Sequence, residues 1–298
     1  MSRSGRSEEV GVLRAAIAHI ESDGRGAATT FATPARARRI TLGQDTRLDQ
    51  ALKGGLGRGA LHEIVAASPG DAPAACGFAL ALAARFAATL DHAAPIVWVL
   101  EDHAKAETGV PYAPGLAAHG IDPARLVIVH TAGGADSLWA MEEALKCKTV
   151  AAVVGEVWRL KSYDLAASRR LVLTAQKSGT PGLMLPAGAA GQARKLSSAA
   201  RTRFEGRAMA GPHGASAGGR TPLPGLAAWE VRIARIRAGP GGNRFALDQD
   251  RFWPVLWDHE EAYFRDALPL PVSTPARDRP RRPPDQGAAE PRDLRARA

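Results

Sequence analysis

The residues whose types and spacing bear most directly on chemistry run from Leu48 to Phe86, LDQALKGGLGRGALHEIVAASPGDAPAACGFALALAARF. Gly54, Gly55, Gly57 and Gly59 lead into a short apolar run, Ala60 to Ala67, and an alanine-rich segment of helical character starts near Ala74. This is strand, loop and helix. In a phosphate-binding loop of that outline, backbone amides close on the phosphates, a lysine reaches the outer ones, and the next Ser or Thr hydroxyl holds magnesium. Here no lysine occurs between Lys53 and Lys105. The loop from Ala66 to Cys76 offers one glycine, Gly70, followed by Asp71, whose charge repels a triphosphate. Pro69 and Pro73 bring no N–H donors. The outline of a nucleotide site is present without its chemistry, so no nucleotide cofactor is expected.

Strands alternating with helices must position this loop. Pro95 to Leu100 is a second buried strand that ends in Glu101 and Asp102, Ala124 to His130 a third, Thr149 to Val154 a fourth and Gly182 to Leu185 a fifth. Between them lie a helix from Ala135 to Lys146, with Leu138, Met141 and Leu145 on one face, and another from Ser162 to Ser178. The latter has Asp164 near its start and Arg169, Arg170 and Lys177 toward its end, as the macrodipole favours. Such alternation predicts an α/β domain with a mostly parallel central sheet flanked by helices. Trp229 to Ala238 alternates polar and apolar residues, and GPGG joins it to Asn243 to Leu247, which predicts a C-terminal antiparallel hairpin.

The boundaries follow composition. Residues 1–46 form an N-terminal helix (Ser7 to Ser22, with Val10, Leu13, Ile17 and Ile20 on one face) and a linker. Residues 47–250 form the α/β domain, 251–270 an aromatic-rich segment, and 271–298 a disordered basic tail. The chain has 298 residues, 45% hydrophobic, with net charge +9 and pI near 10.1, which favours an anionic partner. Cys76 and Cys147 show no metal-ligand spacing, so no metal site is expected and a reducing, cytoplasmic setting is. No apolar run of about 18 residues marks a membrane span, and the N-terminus lacks the apolar core of a signal peptide.

The phrase LDQALKGGLGRGALHEI resembles the segment that leads into the phosphate loop of RecA-type recombinases. VLEDHA at Val99, HGIDPARLVIVH at His119 and VAAVVGEV at Val150 continue the resemblance. With the phosphate loop degenerate, the pattern over about residues 40 to 250 is most similar to the ImuA family, RecA-like accessory proteins of bacterial inducible-mutagenesis cassettes. That resemblance implies a RecA-like core and a non-catalytic adaptor in SOS-induced error-prone translesion synthesis and DNA repair. It implies as partners an ImuB-type polymerase homologue, RecA and, indirectly, an error-prone replicative-type polymerase, with no small-molecule substrate. Two alternatives remain open. One is an ATP-dependent RecA-like recombinase paralogue with an unorthodox phosphate loop, and the other an inhibitor of RecA filaments or of cell division.

The resemblance also assigns positions. It matches Asp102 to the glutamate that activates water, and it sets Gly155 where a magnesium-holding aspartate ends the strand. Glu156 follows, but adjacent strand side chains point to opposite faces. Lysine, hydroxyl and aspartate are thus missing together, and no catalytic residue is expected. Between Pro186 and Arg220 the cations Arg194, Lys195, Arg201 and Arg203 fall where RecA-like proteins carry mobile DNA-contacting loops, so DNA contact stands beside a solvated basic loop as an expectation. Stacking partners are scarce there, which weakens the DNA case. Arg235 and Arg237 match a basic pair that reaches a neighbouring subunit's nucleotide in related hexameric ATPases. Trp253 and Trp257, in the aromatic cluster Phe252 to Phe264, either close the core or anchor a partner.

Overall fold

The computed structural model describes residues 39–90, 94–209, 226–237 and 250–267. The helix expected over Ser7 to Ser22, the strand expected over Asn243 to Leu247 and the tail from Pro271 lie outside them. Arg39–Ile40 (β1) pairs antiparallel with Leu56–Gly57 (β2) around a short helix, Arg47–Ala51 (α1). The linker expected over 23–46 therefore does not extend to its predicted end. Leu42 is fully buried, and the Leu42 and Gly43 amides donate to the Asp49 carboxylate at 2.7 and 2.8 Å. Gly55 sits at φ +90°, and a Cβ there would lie 1.8 Å from the Ile40 carbonyl oxygen, so this turn requires glycine.

Leu61–Ala66 (β3) leads through a tight turn into Ala72–Ala88 (α2), and Ile96–Glu101 (β4) into Asp102–Thr108 (α3) and Ala113–Ala118 (α4). Leu126–Thr131 (β5), Gly134–Lys146 (α5), Ala152–Val157 (β6), Leu165–Ser178 (α6) and Gly182–Pro186 (β7) complete the alternation. Thr202–Ala208 (β8), Ala228–Ile236 (β9), Trp253–Asp258 (β10) and Tyr263–Asp266 (β11) follow. Among the described residues one sheet runs in the order β11-β10-β9-β8-β3-β7-β6-β4-β5. It is parallel from β8 to β5 and antiparallel from β8 outward to β11. This is the RecA-like α/β architecture, with β7 between β3 and β6; β9, the first strand of the expected hairpin, pairs antiparallel with β8 and β10, and β10 and β11 form a separate C-terminal antiparallel hairpin.

Every residue of β3, β4, β6 and β7 is buried, because helices cover both faces. On one face α2 packs Phe78, Leu82 and Phe86 with Leu100, Phe204 and Trp257. On the other, α5 and α6 bring Leu138, Met141, Leu145, Leu171 and Ala175 onto Val99, Val153 and Met184. Residues Pro69–Ala88 are long and apolar enough to match a membrane span, contrary to the expectation of no such run, but Phe78, Leu82 and Phe86 are wholly buried in this core.

Three expectations change. The fourth strand runs to Val157 rather than stopping at Val154, so Gly155 and Glu156 lie within it. The basic stretch after β7 is not loop throughout: β8 pairs with β3 at the centre of the sheet, with Phe204 fully buried. The aromatic segment over 251–270 is not separate, since β10 and β11 extend the same sheet and Trp257 donates its indole N–H to the His119 carbonyl at 3.0 Å.

One core residue makes the fold sensitive to acid. His62 in β3 is fully buried, its Nε2 meets the Gly57 carbonyl at 2.9 Å, and its ring stacks on Phe86. Burial brings its pKa from 6.5 down to about 4, the Gly57 contact opposes the shift, and the charges of Arg201 and Arg39 add to it. Below about pH 6.5 the unfolded chain binds a proton that the folded chain excludes. Stability is therefore expected to fall by about 3 kcal/mol as pH drops from about 6.5 to about 4. Urea unfolding of the wild type and of His62→Gln at several pH values checks this: the variant should show a shallower loss in that window, and parallel profiles would remove His62 as the cause.

Candidate functional site

The site expected from the strand-loop-helix outline lies at the carboxyl ends of the parallel strands, where open α/β sheets hold ligands. The turn between β3 and α2 is Ser68 to Asp71. Ser68 Oγ donates to Asp71 Oδ2 at 2.6 Å, and the Ala208 amide on β8 donates to Asp71 Oδ1 at 3.1 Å. The Ala67 amide donates to the Gly206 carbonyl at 2.9 Å. An acidic side chain thus sits at the N-terminus of α2, the end that favours anions, and it engages donors of the turn and of β8. Pro69 and Pro73 remove two further amides from this end.

The acids of the neighbouring strand ends are also committed or displaced. Glu101 is fully buried; its Oε2 accepts from the amides of Trp158 and Arg159 at 2.7 and 3.1 Å, and Arg159 Nε lies 3.7 Å from Oε1. This carboxylate ties the end of β4 to the turn after β6. Asp102 is exposed in the first turn of α3, where it complements the helix dipole. Gly155 faces α5: a Cβ built on it would lie 2.0 Å from Met141 Sδ. Helix packing occupies the place that an aspartate side chain needs.

Glu156 points the other way, into a cavity of about 720 Å³ bounded by Trp98, Trp158, Cys76, Tyr112 and Leu116. Burial pushes its carboxyl up from the ordinary range, and Thr108, Trp98 and Trp158 partly offset this. The Cys76 thiol on the same wall is raised by burial and then by the Glu156 charge, which makes it a poor nucleophile. Among the described residues no group of three or more His, Cys, Asp or Glu side chains is placed to hold a metal ion.

The basic and aromatic candidates separate into three places. Arg203, expected in a mobile loop, is instead 2% exposed on β8. Its Nε pairs with Glu63 Oε2 at 2.5 Å, its Nη1 donates to the Ala193 and Leu196 carbonyls at 2.7 Å each, and its Nη2 donates to Ser198 Oγ at 2.9 Å. Arg235 joins the same cluster through Ser198 Oγ at 2.7 Å and Glu63 Oε2 at 3.5 Å, and Tyr163 donates its hydroxyl to Glu63 Oε1 at 2.6 Å. Burial and the Glu63 charge push the Tyr163 phenol well up. Arg235 thus joins the Glu63–Ser198 cluster while its side chain stays 25% exposed. Trp253 and Trp257 are 5% and 1% exposed and belong to the core, not to a partner surface.

Arg194 and Lys195 are exposed, Arg194 in an ion pair with Asp250. Arg201 and Arg237 come together at the opposite, amino-terminal edge of the sheet, beside Arg39 and Arg58. Sequence reasoning missed Glu63, Tyr163, Ser198, Arg39 and Arg58. One signal was available: a lone glutamate inside the apolar run LHEIVA calls for a buried partner.

Two curated relatives, each called Protein ImuA, from Caulobacter vibrioides strains NA1000 / CB15N and ATCC 19089 / CIP 103742 / CB 15, are 34% identical to the chain over 199 residues, 63% of this chain and 75% of each relative. No family model matches the chain. Among solved structures, the RadB recombinase is similar with a TM-score of 0.44 and 13% identity, covering 76% of this chain and 100% of that one.

Proposed function

Because the chain belongs to the ImuA family, we propose that it is a non-catalytic RecA-like adaptor of damage-induced, error-prone DNA synthesis in the cytoplasm. It links an ImuB-type polymerase homologue to RecA and, through them, to an error-prone replicative-type polymerase. The observation that carries the non-catalytic part is the Ser68–Asp71 turn, where Asp71 places negative charge at the end of α2 that a phosphate cradle would use. A RecA-like scaffold that has given up this cradle keeps its surfaces for partners.

Exposed apolar side chains support an adaptor. Trp139, on the outward side of α5, is 65% exposed, and Val127 on the edge strand β5 is 48% exposed. A large rigid aromatic with this exposure suits the centre of an interface. The test is a pull-down with purified ImuB-type protein and RecA. Retention of at least one is expected, weakened about tenfold or more by Trp139→Ala, whose melting temperature should stay close to wild type because the ring is exposed. If neither protein is retained, the adaptor reading fails.

A further inference from the structure

At the amino-terminal edge of the sheet, opposite the degenerate cradle, a cavity of about 500 Å³ opens between β2, the start of β8 and the end of β9. Arg39, Lys53, Arg58, Arg201 and Arg237 line it, and no Asp or Glu does among the described residues. Its other walls are mainly small or apolar, with Leu52, Leu56 and Ile236 prominent, and no aromatic ring borders it.

Three of these arginines are held in place by neutral groups. Arg39 Nη2 donates to the Leu52 and Gly55 carbonyls at 2.7 and 2.6 Å. Arg58 Nη1 donates to the Phe86 carbonyl at 3.0 Å and to Thr89 Oγ1, and Arg237 Nη2 donates to the Ser198 carbonyl at 2.7 Å. Carbonyl oxygens fix these guanidiniums without neutralising them. The buried Nε of Arg39 has no hydrogen-bond partner among the described residues. Burial, and then the Arg201 charge, hold the Arg39 pKa below its usual value, and burial does the same to Arg58. Gathering like charges in a half-buried pocket is unfavourable unless an anion offsets it.

We propose that this cavity is a binding site for phosphate oxyanions, with Arg39, Arg58, Arg201 and Arg237 as the ligating groups. Guanidiniums in a fixed arrangement suit the tetrahedral, multiply accepting phosphate group. With no ring to stack a base, the site reads phosphate and not base identity, so binding to a nucleic-acid strand is independent of sequence and falls steeply with salt. The source is either a phosphodiester backbone or a free oligophosphate, and both present the same oxygens. The inference does not depend on the adaptor role, since it concerns the other edge of the sheet.

The full chain is titrated at low salt against a labelled oligothymidylate, and separately by calorimetry against pyrophosphate. Arg201→Gln tests the pocket, and Arg170→Gln on α6, which pairs with Glu142 outside it, controls for the loss of one positive charge. Saturable binding of the oligonucleotide, weakened about tenfold by Arg201→Gln but little by Arg170→Gln, supports the site and assigns the strand as its source. Binding of pyrophosphate alone with the same arginine dependence supports the site and assigns a free oligophosphate. Absence of both, or equal effects of the two substitutions, overturns it. Arg201 is only partly buried and its guanidinium makes no hydrogen bond among the described residues, so its replacement leaves the fold intact, which circular dichroism verifies.

Discussion

Arg203→Met is expected to lower the free energy of unfolding by about 3–5 kcal/mol, because removing one partner of a buried ion pair strands the other. Glu63 and Arg203 are 0% and 2% exposed, on adjacent central strands. The guanidinium also satisfies two loop carbonyls and Ser198, so its loss frees the segment from Ala193 to Ser198 as well as the carboxylate. Glu63→Leu is expected to cost a similar amount, since it leaves Arg203, Arg235 and the Tyr163 hydroxyl without their common acceptor. The double variant should lose clearly less than the sum of the two, because neither charge is then left alone. Urea unfolding measures all three; single losses under about 1 kcal/mol would contradict the assignment of this pair as the polar centre of the sheet.

Gly155→Asp, the change that restores an acid to the position matched with a magnesium ligand, is expected to cost about 4 kcal/mol or more and to create no metal site. The new Cβ would lie 2.0, 2.6 and 2.8 Å from Met141 Sδ, Cε and Cγ. Met141 is wholly buried between α5 and the sheet, so its thioether has little room to swing away. The carboxylate beyond that Cβ would enter a layer of Val97, Val99, Leu138, Met141 and Leu145 with no cation to pair with. Gly155→Ala isolates the steric part and should lie between wild type and Gly155→Asp. Unfolding curves for the series, with magnesium binding measured by calorimetry, decide the matter. An Asp variant as stable as the wild type would mean that α5 yields easily and that the missing aspartate reflects no packing constraint.

Much of the fold was legible because its strands are short apolar runs separated by amphipathic helices. Leu138, Met141 and Leu145 announce the buried face of α5 by spacing alone, and the order of strands and helices implies a parallel sheet. The defects of the phosphate loop were legible too, since a missing lysine and a misplaced Asp71 are matters of residue type. What periodicity did not show was where polar residues end up. TRFEGRA carries charges at alternate positions and looks like solvated chain, yet it is β8, because Arg203 meets Glu63 on the neighbouring strand and Arg232 of β9 pairs with Glu205. The partners lie 140 and 27 residues apart, a separation that local patterning does not encode. The convergence of Arg39 and Arg58 with Arg201 and Arg237 is likewise a product of the sheet's amino-terminal edge.

The central claim, a RecA-like scaffold whose nucleotide cradle no longer works, is tested most directly by calorimetric titration of ATP with magnesium into the Arg201→Gln protein. That substitution weakens the basic pocket at the far edge and leaves the Ser68–Asp71 turn untouched. The account predicts no saturable binding up to millimolar ATP. Saturable binding in the micromolar range that is equally tight in the wild type and in this variant would mean that the turn holds phosphates despite Asp71, and would place an ATP-dependent activity first.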